Sequence, residues 1–209
     1  MDTQTLLYNF TAFFIIIDPV GTAAIFAVMT HGQTNHQRRS MALRATLLAS
    51  VILFVFAFIG EPLLTALGIG LPAFRVAGGV LLFLLAVDMV FARQSGLRSV
   101  TDTEDREAVR REDITVFPLA FPLIAGPGAM TSVVLLMGEA AGRPLPTAGV
   151  LGVLGAVLLL LLILLLVATR VLRVLGQTGA NVISRLLGVL LAALAVQFIF
   201  DGLAEALRL

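Results

Sequence analysis

The sequence predicts an all-α integral membrane protein whose six transmembrane helices form two inverted three-helix repeats. Three observations lead to this fold class. The 209 residues are 59% hydrophobic and only 13% charged, which is about half the charge of an ordinary soluble domain. Apolar segments long enough to cross a bilayer recur along the chain. Two of these segments, in corresponding halves of the chain, are interrupted near their centres by proline and glycine.

The two interruptions divide the first and fourth predicted helices. One lies in IIIDPVGTAAIFAVM at residues 15–29, and the other in LIAGPGAMTSVVLLM at residues 123–137. Proline removes a backbone donor and clashes with the preceding turn, so a regular helix cannot pass through Pro19 or Pro127. Interrupted helices in corresponding places of two halves are typical of the substrate site of secondary transporters. We therefore predict that helices 1 and 4 are broken near the membrane midplane.

The six predicted helices span residues 5–30, 40–60, 73–91, 114–138, 147–168 and 180–206. The fifth has no charge and a leucine-rich centre, so we expect it to face lipid and to pack passively. Glycines within the helices are expected to permit close helix approach rather than to bind a ligand. These glycines are Gly78, Gly79, Gly152 and Gly155.

An internal repeat relates the third helix to the sixth. Two segments match at seven of eleven positions: GVLLFLLAVDM at residues 79–89 and GVLLAALAVQF at residues 188–198. The two segments are 109 positions apart, which is close to the 108 positions that separate Pro19 from Pro127. The chain is thus predicted to be a single membrane domain, residues 1–209, with repeat one at about 1–91, a connector at about 92–113 and repeat two at about 114–209. Because each half contains an odd number of helices, the halves insert with opposite orientation.

The arginines predict the orientation of the chain. All fourteen basic residues are arginine, and ten of them lie in three polar segments: Arg38, Arg39 and Arg44; Arg93, Arg98, Arg106, Arg110 and Arg111; Arg170 and Arg173. Cytoplasmic segments carry the excess of basic residues, so both termini are expected to be extracytoplasmic. In the connector, Thr101 and Glu104 fit a capping box, which predicts a short surface helix at residues 101–112.

Eight residues at the two breaks make up the predicted substrate-binding site: Asp18, Pro19, Gly21, Thr22, Gly126, Pro127, Gly128 and Thr131. Proline suits the first position of a helix and aspartate the N-cap before it, and a helix N-terminus presents N–H donors to an anion. Glycine lets the backbone approach a ligand. Two donor-rich ends and one carboxylate suit a small zwitterion such as a neutral amino acid. The alternative interpretation is that Asp18 only caps a half-helix and that the prolines only kink their helices.

The sequence contains no recognisable catalytic constellation, so neither an enzyme nor a cofactor is predicted. Cysteine is absent, which excludes disulfides and thiolate metal sites. No ATP-binding motif occurs, so transport would depend on an ion gradient or on exchange. The expected partners are the lipid bilayer and a small zwitterionic substrate, and no nucleic acid. A proton or sodium as coupling ion, and a homo-oligomer, stay open.

Four motifs extend over essentially the whole chain: DPVG at residues 18–21, PAFRVAGGVLLFLLA at 72–86, DITVFPLAFPLIAGPGAMT at 113–131 and RLLGVLLAALAVQFIFDGL at 185–203. Through them the chain resembles the MarC (UPF0056) family of bacterial inner-membrane proteins. The resemblance implies a six-helix inner-membrane protein, distantly related to amino-acid exporters of the LysE type, that transports small neutral amino acids. Family members often have Asn after the glycine of the first break, where this chain has Thr22, and this difference leaves the substrate open.

The sequence therefore predicts a secondary transporter of small neutral amino acids. The alternative is a non-transporting membrane partner or a stress-associated structural subunit. Breaks in both halves favour transport, because a purely structural subunit needs neither.

Overall fold

The computed structural model describes residues 3–91 and 113–207, and this part of the chain is helical throughout its elements, without a strand. The helical segments are α1 (Thr3–Ile17), α2 (Pro19–Met29), α3 (Asn35–Ala66), α4 (Leu71–Phe91), α5 (Thr115–Ile124), α6 (Pro127–Ala140), α7 (Pro144–Leu166) and α8 (Ala168–Leu207). The short helix predicted at residues 101–112, with the connector arginines, lies outside the described residues. The all-α prediction is confirmed.

The helices are long and apolar enough to span a membrane several times. In the described residues, five spans meet this criterion, and α1 with α2 forms one of them. α5 and α6, bent by 51° at their junction, make a sixth if they are taken together as one span. The prediction of a multi-span helical membrane protein is therefore confirmed.

Two helices are longer than the sequence predicted. α3 begins at Asn35 rather than residue 40, because Thr34 and Gln37 form a capping box in which each side chain bonds the backbone N–H of the other. α8 begins at Ala168 rather than residue 180, and it is interrupted at Gly176, where φ is 66°. Arg170 and Arg173, which were expected in a connecting loop, consequently lie on its first helical turns.

α5 is not the regular helix that the sequence predicted before the second break. Its turns are wide, and Phe117 (φ −130°, ψ 128°) and Phe121 (φ −136°, ψ 128°) have extended backbone within it. Pro118 and Pro122 follow these two residues, and a residue that precedes proline is sterically driven out of the helical region. The FPLAFP sequence therefore makes the first half of this span irregular.

The two halves of the chain pack into each other rather than forming separate bundles. α1 lies against α7 and α8, and α2 does the same. Reciprocally, α5 lies against α3, and α6 against α3 and α4. α3 also contacts α7, and α4 packs extensively on α8. The first span of each half thus lies on the two other spans of the other half.

α4 and α8 approach each other so closely that their backbones touch at glycines. A Cβ added at Gly79 would lie 2.8 Å from the carbonyl oxygen of Ala195 and 3.1 Å from the backbone nitrogen of Ile199. On the other helix, a Cβ added at Gly188 would lie 3.1 Å from the backbone nitrogen of Val90. Side-chain atoms of Ile199 and Met89 lie still closer to these two Cβ positions, at 2.7 and 2.8 Å. The backbone atoms cannot move aside as the end of a flexible side chain does.

The other predicted packing glycines divide into two groups. A Cβ at Gly78 would collide with the side chain of Thr131, so this glycine does permit a close approach of α4 to α6. Gly152 and Gly155 on α7 have no atom within 4 Å of such a Cβ. The expectation of close approach is wrong for these two.

The expectation that α7 faces lipid and packs passively holds for only one of its faces. One face of α7 is buried against α1, α2 and α3, through Val150, Leu154, Val157, Leu158, Leu161 and Leu165. Only the opposite face, with Leu159 and Ile163, is exposed. The segment is apolar on all sides, so its sequence contains no periodicity that would distinguish the buried face.

An ionic cluster joins three helices at one end of the bundle. The guanidinium of Arg75 on α4 contacts Glu139 on α6 at 2.9 Å and Glu205 on α8 at 3.2 Å. The arginine side chain is only 12% exposed, whereas both carboxylates are about half exposed. Arg75 therefore ties α4 to both neighbours at a position where water still reaches its partners.

We predict that Gly79→Leu destabilises the protein by about 1–3 kcal/mol, the usual cost of overpacking a tight contact. The matched control is Gly152→Leu, which introduces the same side chain into open space and gains the small helix-propensity advantage of leucine over glycine. Thermal unfolding of both variants in detergent, followed by circular dichroism, measures the difference. Equal melting temperatures would contradict the close α4–α8 contact.

Candidate functional site

Asp18 is the single residue between α1 and α2, and its side chain has no exposed surface. Its backbone is left-handed, with φ 46° and ψ 66°. The backbone N–H of Asp18 donates to the Phe14 carbonyl at 3.0 Å, and the Asp18 carbonyl accepts from the N–H of Thr22 at 2.9 Å. The interruption therefore leaves both backbone hydrogen bonds of Asp18 in place.

The carboxyl group of Asp18 joins a local contact to a distant one. Oδ1 accepts from the N–H of Gly21 at 3.0 Å, so the predicted N-cap is confirmed. Oδ2 accepts from the hydroxyl of Ser184 on α8 at 2.9 Å. Sequence reasoning missed Ser184, because no local pattern reveals a partner in the other half of the chain. The only available signal was a small hydroxyl residue within a largely apolar helix.

Three other predicted residues surround this junction. Pro19 opens α2, where its missing N–H costs no hydrogen bond. A Cβ on Gly21 would overlap both the Asp18 carboxyl and the Ser184 hydroxyl. Thr22 is fully buried, and its hydroxyl donates to the Ile17 carbonyl at 3.1 Å. The space at Gly21 is thus filled by the protein's own polar groups.

The second junction is built from apolar contacts. Gly126 is the N-cap of α6, without a side-chain cap, and Pro127 is its first residue. A Cβ on Gly128 would lie 2.8 Å from the side chain of Leu82 on α4. Thr131 is 4% exposed. Hydroxyls occur at both junctions, those of Thr22 and Ser184 at the first and those of Thr131 and Ser132 at the second. The two predicted halves of the site therefore differ mainly in the carboxyl group of Asp18, which has no counterpart at the second junction.

A small cavity of about 20 Å³ lies beside the second junction. Gly126, Pro127 and Gly128 line it, and so does Ile16, which is two residues before Asp18. This volume holds about one water molecule, so an amino acid does not fit in this conformation. The structure brings the second-junction glycines and α1 together around the cavity, while the Asp18 carboxyl lies against α8.

In the described residues, no group of three or more histidine, aspartate or glutamate side chains is arranged so that it could hold a metal ion. The buried hydroxyl of Ser132, which was not predicted, donates to the Gly128 carbonyl at 2.9 Å. At the start of α6, the Ser132 hydroxyl thus satisfies a backbone carbonyl, as the Thr22 hydroxyl does at the start of α2.

Comparison with known proteins confirms the resemblance found in the sequence. The family model described as MarC family integral membrane protein matches residues 3–207. A UPF0056 membrane protein of Archaeoglobus fulgidus is 37% identical over 95% of this chain and 92% of its own length. UPF0056 membrane protein YhcE of Escherichia coli is 36% identical over 93% of this chain and 89% of its own length. UPF0056 membrane protein YvbG of Bacillus subtilis is 33% identical over 95% of this chain and 93% of its own length. No solved structure matches the chain significantly.

We predict that Ser184→Ala destabilises the protein by about 1–3 kcal/mol, because it removes a hydrogen bond to a buried carboxyl group. The control is Ser50→Ala, since the Ser50 hydroxyl bonds only the carbonyl of Thr46 one turn earlier in its own helix, and a loss within ±0.5 kcal/mol is expected there. Thermal unfolding in detergent compares the two. A Ser184 variant as stable as the Ser50 variant would show that the bond between the halves contributes little.

Proposed function

The chain belongs to the MarC family of integral membrane proteins, and from this premise we propose that it is a secondary transporter of small neutral amino acids. The observation that carries the proposal is the pair of interrupted spans, in each of which a second helix starts afresh at a proline, Pro19 in α2 and Pro127 in α6. Helix N-termini within a membrane protein are suited to anionic substrate groups. The substrate is held where these two helices begin.

The packing of the halves supports an inverted repeat around this site. The backbone contact between Gly79 and Ile199 has its counterpart in the contact between Val90 and Gly188. Both residues of the second pair are shifted by 109 positions from those of the first, which is the repeat spacing in the sequence. The packing of the interrupted spans is reciprocal in the same way, because the span of each half lies on helices of the other half. An inverted repeat places the site between its halves near the bilayer centre.

In the proposed binding mode, the two ends of a zwitterion meet different groups. The carboxylate lies at the N-terminal turns of α2 and α6, next to Gly21 and Gly128, and the ammonium lies at Asp18. The hydroxyls of Thr22 and Thr131 orient the substrate. Because Ser184 occupies one oxygen of Asp18 in this structure, substrate entry requires the first junction and α8 to separate.

One observation favours the alternative of a non-transporting structural subunit. The space at both junction glycines is filled by the protein itself, and the cavity beside the second junction has a volume of only about 20 Å³. A subunit that merely uses bent helices for packing needs no larger space. Transport, in contrast, requires a second conformation in which this region is open.

Uptake by proteoliposomes tests the proposal. The purified chain is reconstituted and exposed to a panel of labelled neutral amino acids, with and without proton and sodium gradients, and empty liposomes give the background. We expect gradient-dependent or exchange-dependent accumulation of at least one small neutral amino acid. Failure of every member of the panel under every gradient would favour the structural alternative.

We predict that Asp18→Asn weakens substrate affinity several-fold to about thirtyfold, since a hydrogen bond to a charged group contributes about 1.5–3 kcal/mol and a neutral one about 1 kcal/mol. The fold should persist, because asparagine caps helices well and its amide can donate to the Ser184 hydroxyl. Asp201→Asn, at an exposed position on α8, is the matched control. Unchanged transport by the Asp18→Asn protein would reduce Asp18 to a helix cap.

We also propose that the chain lies in the bacterial inner membrane with both termini extracytoplasmic, on the arginine distribution. A reporter that is active only outside the cytoplasm, fused after residue 209, should be active. The same reporter inserted after residue 36, in the first arginine-rich segment, should be silent. The opposite pattern would reverse the orientation.

A further inference from the structure

A second and much larger cavity, of about 650 Å³, lies at the other end of the bundle from the Arg75 cluster. The start of α3 and the junction of α7 with α8 form its walls, and its lining includes none of the eight predicted substrate-site residues. The volume is within the usual range of small-molecule sites. Four arginines line it: Arg38, Arg39, Arg170 and Arg173.

These four side chains bring four positive charges to one cavity, and within residues 3–91 and 113–207 none of them has a carboxylate within 4.0 Å. Arg38 is also oriented, because its Nε donates to the hydroxyl of buried Thr30 at 3.1 Å. A guanidinium has five N–H donors, and this bond uses one of them. The cavity therefore combines four positive charges with one guanidinium that is held in a fixed orientation and has donors left for a ligand. This is the chemistry that recognises an oxyanion.

Apart from Asn35 and Thr169, the other residues that line the cavity are apolar, and an exposed apolar surface continues from them along α3. Leu43 and Leu166 line the cavity and are 51% and 41% exposed. From Leu43, exposed apolar side chains follow at intervals of four residues along α3, at Leu47 and Val51. Residues four apart share one helix face, so a hydrocarbon stripe leads from the arginines along α3. A ligand that uses the whole surface has an anionic head and a hydrocarbon tail.

We propose that this cavity binds an anionic phospholipid, with the headgroup phosphate among the four arginines and an acyl chain along the α3 stripe of Leu43, Leu47 and Val51. Basic pockets between membrane helices are suited to such headgroups. A free phosphate ion shares the headgroup chemistry, but it makes no use of the stripe. The site requires only that the chain be embedded in a membrane, so it stands apart from the proposed transport activity.

Binding to the purified full-length chain in detergent tests the headgroup contact. The probes are dihexanoyl phosphatidylglycerol, dihexanoyl phosphatidylcholine and inorganic phosphate. The variant Arg39→Gln/Arg173→Gln removes two exposed arginines of the cavity, and we expect it to weaken phosphatidylglycerol binding about twenty- to thirtyfold. Arg143→Gln/Arg185→Gln makes the same change in charge at exposed positions outside the cavity and should leave the affinity unchanged.

A second variant distinguishes the lipid from the free ion. Leu43→Gln/Leu47→Gln should weaken phosphatidylglycerol binding without changing the binding of inorganic phosphate. Three results would overturn the proposal: equal losses in the two arginine pairs, equal affinity for phosphatidylcholine and phosphatidylglycerol, or phosphate binding as tight as that of the lipid. The first would reduce the effect to general charge attraction, and the last would make this a site for a free anion.

Discussion

A chain inside hydrocarbon must satisfy its backbone polar groups from within the protein, and the interruption at Asp18 depends on this constraint. Asp18 leaves the helical conformation, yet its N–H and carbonyl remain bonded to Phe14 and Thr22. The groups exposed by the break are satisfied by side chains. The Asp18 carboxyl accepts from the N–H of Gly21, and the Thr22 hydroxyl donates to the carbonyl of Ile17. A proline can therefore open α2 in the middle of an apolar span.

This local repair also connects the two halves of the chain. The second oxygen of Asp18 accepts from Ser184 on α8, so the group that caps α2 also holds α2 against the other half. The second junction is held differently, with no side-chain cap on Gly126 and with Leu82 packed at Gly128. The junctions are therefore chemically unequal. In the proposed transporter, a carboxyl group at only one junction would favour one orientation of a bound zwitterion over its reverse.

Features that depend on residues close together in the chain could be predicted from the sequence, whereas features that depend on contacts between distant helices could not. The cap at Asp18 and the helix start at Pro127 follow from rules that act over a few residues, and the structure has both. The extended backbone at Phe117 was also predictable, since proline follows it, but the apolar pattern around it suggested a regular helix. Ser184 and the buried face of α7 depend on which helices become neighbours. Nothing in a uniformly apolar segment encodes that choice.

The tight contact between α4 and α8 constrains how a transport cycle would operate. Their backbones meet at Gly79 and Gly188, and such close-packed surfaces do not deform gradually, so the pair is expected to move as one body. The first interrupted span contacts this body at Ser184, and the second contacts it at Leu82. Movement of one interrupted span away from the pair exposes Asp18, and movement of the other exposes Gly128. In the proposed transporter, the two junctions would therefore open by motion of the interrupted spans relative to a rigid α4–α8 pair. The proposed inverted repeat would make the two openings face opposite sides of the membrane.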